Sequence, residues 1–488
     1  MGRTRSPRRV GARAAFASAI TIGASGWTLL SAAPASGQQD PVAAVTPAPV
    51  QQLLTLAEAL QRADEGAYAN RIGAGEAAAQ AGEGLAAFRG ILPTVRLESG
   101  YARTTDPIGA FGTTLRQRTI TQADFDPARL NHPDATPNYT GGVVLEQPLV
   151  NVDAWLGRRA ATHATDAREA AASWTLLDTR VNVVRAYFGA VLTAERVETL
   201  KVALEAARSH VRQAEAMVEQ GVVTRSDALL ARVKAGEVET QLIEAQGDAS
   251  LVKRQLAVLL GAPEDVAFEL PRELPASERV QELDALLHEP AGSGAVGGDV
   301  SARADVRAAA AGHAAARADV RRAQSAWLPR LNGMARFDWN SPDRPYEGQE
   351  NWSVGVVASW TPFAGASQLA DLRATEGREQ VARAQAEAAR AQAELEAAAK
   401  ENAWRVAVER LRIADDAVAQ SVEAHRIVTR KYEGGLASVV ELLGASAAET
   451  EARLRRSHAR WDAIVRAAER LQAAGQDPAR LAGWSMDS

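Results

Sequence analysis

Two long intervals of helical patterning dominate the chain, and each follows a pair of short stretches with period two. From Pro148 to Gly221 there is no proline, and Val197, Leu200, Leu204, Ala207, Val211, Ala214 and Val218 recur at steps of three and four. An earlier set, Leu177, Val181, Val184, Phe188 and Val191, keeps those steps but is out of phase with the later one. A seam with one phase shift predicts a helix wound round its neighbours and locally rewound. From Pro362 to Gly435 the chain is again free of proline, and it is rich in Ala and Glu between Gln368 and Lys400. A helix filling most of either interval would be roughly 100 Å long at about 1.5 Å per residue, more than a compact globule needs.

The period-two stretches predict strands. Val95, Leu97, Ser99 and Tyr101 alternate with polar neighbours, and Trp352, Val354, Val356 and Ala358 form one face of a later strand. Each half therefore offers a strand, a loop, a second strand and then the long helix. The loops are polar: 104–137 is rich in Asp, Pro and Thr, and 341–350 is shorter. Pro148 and Pro362, Gly221 and Gly435, and Asp227 and Glu441 are each 214 positions apart, so the chain is an internal duplication. "ILPTVRLESGY" (91–101) and "WLPRLNGMARF" (327–337) are matching Leu-Pro exits from helix into alternation.

Both long intervals end in the same turn, "EQGVVTRSDALLA" (219–231) and "EGGLASVVELLGA" (433–445). Gly221 and Gly435, the latter preceded by Gly434, can adopt the positive φ that closes a helix. Thr224 to Asp227 and Ser438 to Glu441 have the spacing at which a hydroxyl and an acid cap a new helix. These acids are thus explained without a ligand.

Composition changes this picture in three ways. The 488 residues are 46% hydrophobic and 24% charged but only 5% aromatic, which suits Ala-rich helical packing better than a large conventional core. No cysteine occurs, excluding disulfides and thiolate metal sites. Five arginines before Asp40 precede a moderately apolar run with Ala35 and Gly37 at peptidase spacing, so residues 1–37 read as an export signal, with a membrane anchor as the alternative. Removing them moves the formal charge from −5 to −10, a poor basis for binding nucleic acid. Beyond the signal no apolar run approaches the length of a spanning helix, so any membrane crossing must use strands. Four strands per chain cannot close a barrel in lipid, and the chain must oligomerise to do so. Trp327, Trp339, Trp352 and Trp360 cluster around the second strand pair, as a membrane-interface girdle would, although the core of a soluble hairpin would hold tryptophans similarly.

"LTLAEAL" (54–60), the two Leu-Pro exits, "ARADVRAA" (302–309), the paired turns and "RKYEGGLASVVELLGA" (430–445) together resemble the TolC family of outer membrane efflux proteins. The resemblance covers nearly everything from Leu53 to Gln472. It implies an α+β membrane protein built mostly of long α-helices in a coiled-coil tunnel. Each protomer of a homotrimer would give four β-strands, 92–103, 138–148, 328–340 and 351–361, to one shared 12-stranded barrel. On this reading 1–37 is the signal, 38–52 an extension, 53–261 and 301–474 the two repeats, 262–300 a belt segment around the tunnel's middle or a plain linker, and 475–488 a tail. The expected location is the outer membrane, with the tunnel in the periplasm. The expected partners are a periplasmic membrane-fusion adaptor, an inner-membrane transporter and outer membrane lipid.

The resemblance also implies that the turns sit at the narrow end of the tunnel, with Glu441 at the mouth and Tyr432 matching a tyrosine that helps hold it shut. Gly444 and Ala437 replace an acid and a basic residue expected there, so this chain departs from the family's usual closure. Catalytic readings fail: the seven histidines show no metal-ligand spacing, "GAGEAA" (73–78) follows no strand, and there is no P-loop. No cofactor and no metal is expected. Two functions stay open, an export duct for small molecules or secreted polypeptide and a non-channel coiled-coil scaffold.

Overall fold

The computed structural model describes residues 53–262, 268–288, 300–345 and 347–486. The export signal at 1–37 and the extension at 38–52 lie outside the described residues.

The first half opens with α1 (Leu56–Gly66), capped by Thr55 and Glu58, followed by α2 (Tyr68–Ala86) and β1 (Thr94–Thr104). The connection that follows holds two short helices, α3 (Pro107–Arg116) and α4 (Pro127–Asn131), before β2 (Thr136–Val150). Each starts with a proline behind an aspartate cap: Asp106 accepts from the Gly109 N–H at 2.6 Å and Asp126 from the Ala128 N–H at 2.9 Å. Then come α5 (Val152–Glu219), α6 (Arg225–Leu259) and, between the halves, α7 (Ser277–His288). The second half repeats the plan with α8 (Ala304–Gln324), β3 (Arg330–Ser341), β4 (Gln349–Ser359), α9 (Ser367–Glu433) and α10 (Val439–Ala473), followed by a short α11 (Arg480–Met486).

The two proline-free intervals are unbroken helices of 68 and 67 residues, each about 100 Å long. Their partners α6 and α10 are both 35 residues, and their ends are displaced by 214 positions. Both phases of the α5 seam are used. Val181, Val184, Phe188 and Val191 enter the main core, whereas Leu200, Leu204, Ala207 and Ala214 are buried further along. Among the described residues no helix is long and apolar enough to cross a membrane.

The four strands form one antiparallel sheet in chain order, β1-β2-β3-β4. The four strands expected at 92–103, 138–148, 328–340 and 351–361 run as Thr94–Thr104, Thr136–Val150, Arg330–Ser341 and Gln349–Ser359, each end shifted by one or two residues. β1 begins after Pro93 rather than at 92, and β2 runs past Pro148 to Val150 with its register to β3 shifting between those residues. Proline has no N–H for the ladder, so the strand steps over it instead of ending there.

The main core fills the middle of the helical part. It joins Leu56 and Leu60 of α1 to the Val181–Val191 stretch, Trp404 and Leu411 of α9, and Ile464 and Leu471 of α10. Phe268, Leu274, Val280, Leu283 and Leu287 bury their side chains in it, so the described part of the inter-repeat segment is packed structure rather than a linker. Residues 263–267 and 289–299 of that segment lie outside the described residues. A buried pair anchors it: Glu195 meets the Arg460 guanidinium and accepts from the Leu274 N–H at 2.8 Å, while Arg460 donates to the Leu274 carbonyl at 3.1 Å. Burial pushes the Arg460 pKa down, which makes the facing carboxylate and carbonyls necessary. Arg303, 2% exposed, ties the start of the second half to α9 through Glu396 at 2.8 Å and to the end of α10 through the Ala473 carbonyl at 3.1 Å.

Candidate functional site

Two regions carry the functional geometry, the sheet at one end of the long helices and the paired turns at the other. In the sheet, register places Leu97, Val143, Phe337 and Trp352 in one row across all four strands, with Val95, Leu145, Ala335 and Val354 in the next row on that face. Alternation puts Arg96, Val144, Arg336 and Ser353, and then Glu98, Gly142, Asp338 and Asn351, on the opposite face. The apolar face is uncovered, with Leu97 and Trp352 each 78% exposed. The polar face carries a charge ladder: Arg96 to Glu146 at 2.8 Å, Arg336 to Glu98 at 3.5 Å and Arg336 to Asp338 at 3.4 Å. A soluble hairpin core would bury the apolar side, and nothing among the described residues covers it. A sheet with apolar residues toward lipid and polar residues toward water is the wall of a membrane barrel.

The tryptophans lie at both ends of this face. Trp339 and Trp352 stand toward the hairpin end, and Trp339 lies flat over Gly141, where a Cβ would come within 2.1 Å of its ring. Tyr101 and Tyr139 face each other at the same end, with ring centroids 4.7 Å apart. Trp327 and Trp360 stand at the helical end, joined by the Trp360 indole N–H donating to the Trp327 carbonyl at 3.0 Å. Trp352 and Trp360 are eight positions apart on and just after β4, roughly 26 Å of extended chain, which is close to the height of a lipid-facing band.

At the opposite end both turns close alike. Gly221 and Gly435 have φ of 74° and 69°, whereas Gly434 remains at −85° and donates to the Arg430 carbonyl at 3.2 Å. Both capping boxes form. Asp227 accepts from the Thr224 N–H at 2.9 Å and Glu441 from the Ser438 N–H at 2.7 Å, and each hydroxyl accepts from its partner acid's N–H. Hydrogen bonds from Thr224 and Ser438 hold both carboxyls below the usual carboxylate range, and both caps stay exposed. Tyr432 lies in a small core with Ala214, Ala228, Leu442 and Leu443, and its hydroxyl has no hydrogen-bond partner. Burial, with Asp227 adding to it, raises the Tyr432 pKa. In this chain the tyrosine therefore packs the base of the turns.

Sequence reasoning missed two clusters. His425 contacts Glu449 through Nδ1 at 2.6 Å and stands edge-on to His210 of the other half, with ring centroids 5.9 Å apart. The Nε2 atoms of both histidines are buried without partners. At the far end of the sheet, Gln117 joins a chain of buried amides with Asn138 and Asn340. Neither cluster has a local signature, because each joins residues from different halves or from a loop and a strand.

A barrel wall continued by a stalk of long paired helices defines a membrane channel with a helical tunnel. The outer membrane efflux protein family matches residues 73–262 and 300–475, one stretch in each half, and the chain belongs to this family of outer membrane proteins. The fold is similar to that of the outer membrane protein VceC from Vibrio cholerae, with a TM-score of 0.70 and 21% identity over 86% of this chain and 96% of that one. It is also similar to the Campylobacter jejuni CmeC outer membrane channel, with a TM-score of 0.72 and 14% identity over 90% and 94%. Over 157 residues, 32% of this chain, it is 29% identical to the alkaline protease secretion protein AprF of Pseudomonas aeruginosa, and that stretch spans 31% of the relative.

Proposed function

We propose that the chain is the exit duct of an export pump, passing small molecules such as drugs, toxic compounds or metals through the outer membrane. The two-faced sheet carries this reading, since its β1 and β4 edges have no partner strand among the described residues and lipid tolerates no open edge. Three protomers close twelve strands, with the Arg96, Glu98, Arg336 and Asp338 ladder lining a watery bore and the tryptophan-flanked face meeting outer membrane lipid. The helices extend the bore into the periplasm and end at the turns. There Asp227 and Glu441 from three copies ring the mouth with carboxylates that favour cations. A duct of this kind holds no energy source, so an inner-membrane transporter joined through a periplasmic adaptor drives it.

Fractionation and a deletion phenotype test the reading. The protein should sit in the outer membrane as a trimer that dissociates on heating, and its deletion should sensitise cells to some of a panel of drugs and metals. Soluble protein released by salt would favour a scaffold and end the duct reading. The likeness to AprF supports a second reading, type I secretion of a polypeptide. That reading predicts a protein lost from the medium on deletion while susceptibility stays unchanged.

A further inference from the structure

We infer that the 105–135 loop is a lid over the outer exit of this duct, latched by Gln117, and that it sets the width of what can leave. The inference rests on the duct reading above. Gln117 follows α3 directly and is 4% exposed although it lies in the loop. Its side-chain amide donates to the Pro137 carbonyl at 2.8 Å and to Asn138 Oδ1 at 3.0 Å. Asn138 donates on to Asn340 Oδ1 at 2.8 Å, and Asn340 to Asp338 Oδ2 at 2.8 Å. Register puts Asn138, Asn340 and Asp338 on the polar face of the sheet, so the amide chain joins the loop to the bore side and not to the lipid side. The next residue, Arg118, held at φ 52°, donates to the Glu350 carbonyl on β4 at 3.0 Å. A segment that leaves β1 is therefore fastened to β2 and reaches β4, crossing the hairpin end of the sheet above the charge ladder.

Buried side-chain amides are costly to leave unpaired, and here each one satisfies the next. Such a chain specifies one loop position. Three copies of the loop, each bent toward the axis, would narrow the exit while the strands below stay wide. Removing the Gln117 amide takes away two hydrogen bonds and leaves Asn138 short of a donor, enough to shift a closed-to-open balance by roughly tenfold.

The chain has no cysteine, so a single introduced thiol reports access cleanly. Ser353→Cys places one on the polar face beside Arg336, deeper than the amide chain, and Glu347→Cys places a control in the exposed β3–β4 connection. Intact cells carrying the full-length protein are treated from outside with a small maleimide and with a bulky polyethylene-glycol maleimide. The expected result is that position 353 reacts readily with the small reagent and slowly with the bulky one. Gln117→Ala should speed the bulky reaction roughly tenfold with the small reaction unchanged, as two lost hydrogen bonds require. A variant with residues 107–131 replaced by a short Gly-Ser linker should speed it at least as much, and position 347 should react alike in all backgrounds. A bulky rate at 353 that equals the small rate in the wild-type loop overturns the lid, and a bulky rate unmoved by Gln117→Ala overturns the latch. If position 353 resists even the small reagent in every variant, the bore reading itself fails and takes the lid with it.

Discussion

At the scale of single residues, the turns show how a local rule can be read from sequence while its neighbours cannot. Thr224, Asp227, Ser438 and Glu441 were legible because a capping box depends on spacing alone. Ser438→Ala should cost about 1 kcal/mol of local helix stability, seen as roughly fivefold faster amide exchange over 439–442. Because hydrogen bonds depress the folded pKa of Asp227 and Glu441, the stability they add is present above the unfolded carboxylate value and is lost as pH falls through the lower folded value. The caps should therefore hold at neutral and mildly acidic pH. His210 titrates in the same direction for a different reason, since here the charged form is disfavoured in the folded state. Burial, and then the neighbouring His425 ring, lower its pKa, so the unfolded chain takes up a proton first as pH falls. Its contribution is complete above about pH 6.5 and declines as pH drops through that unfolded value. Glu449 and Arg453 face the pair from α10 as an ion pair, and Glu239 of α6 is engaged by Arg208, so neither acid is free for His210. Thermal unfolding should lose more between about pH 7.5 and 5.5 in the wild type than in His210→Gln, and equal losses would show that the histidine is not responsible.

At the scale of elements, proline placement and hydrophobic period were enough to reveal both long helices and all four strands. A missing proline over 73 positions and an alternating face are properties of many residues at once. The lid helices α3 and α4 are too short to show a period, so the sequence reads 104–137 only as a polar loop. The Glu195–Arg460 pair, 265 positions apart, had no local signal at all, and neither did the burial of the inter-repeat segment that it anchors. The faces of β4 can be tested with neighbouring residues that point opposite ways. Val354→Lys puts an ammonium on the lipid side and should cost about 2–4 kcal/mol per protomer, multiplied by three in a trimer, with loss of the heat-modifiable form. Ser353→Lys puts the same charge in the bore and should leave trimer yield unchanged. Equal yields from the two variants would place neither face against lipid.

For the whole molecule the deciding fact is incompleteness. Among the described residues one chain presents a four-stranded sheet with unpaired β1 and β4 edges, an apolar face without a cover, and helices far longer than its own core can bury. Exposed apolar residues such as Leu395 and Ile413 of α9 and Ile243 of α6 continue this pattern along the tunnel. In the proposed trimer one arrangement would answer all three: β1 of each protomer would pair with β4 of the next, and adjacent helices would cover each other's exposed seams. Three copies give twelve strands, whereas two would give eight, a number whose interior is largely filled by side chains and leaves little room for a duct. Cysteine pairs that step along β1 and β4, introduced into the cysteine-free chain, should form disulfides between protomers in one strand register only, and the fully linked product should migrate as a covalent trimer after boiling. Linked dimers as the end product, or links in every register, would mean that these edges do not close the barrel.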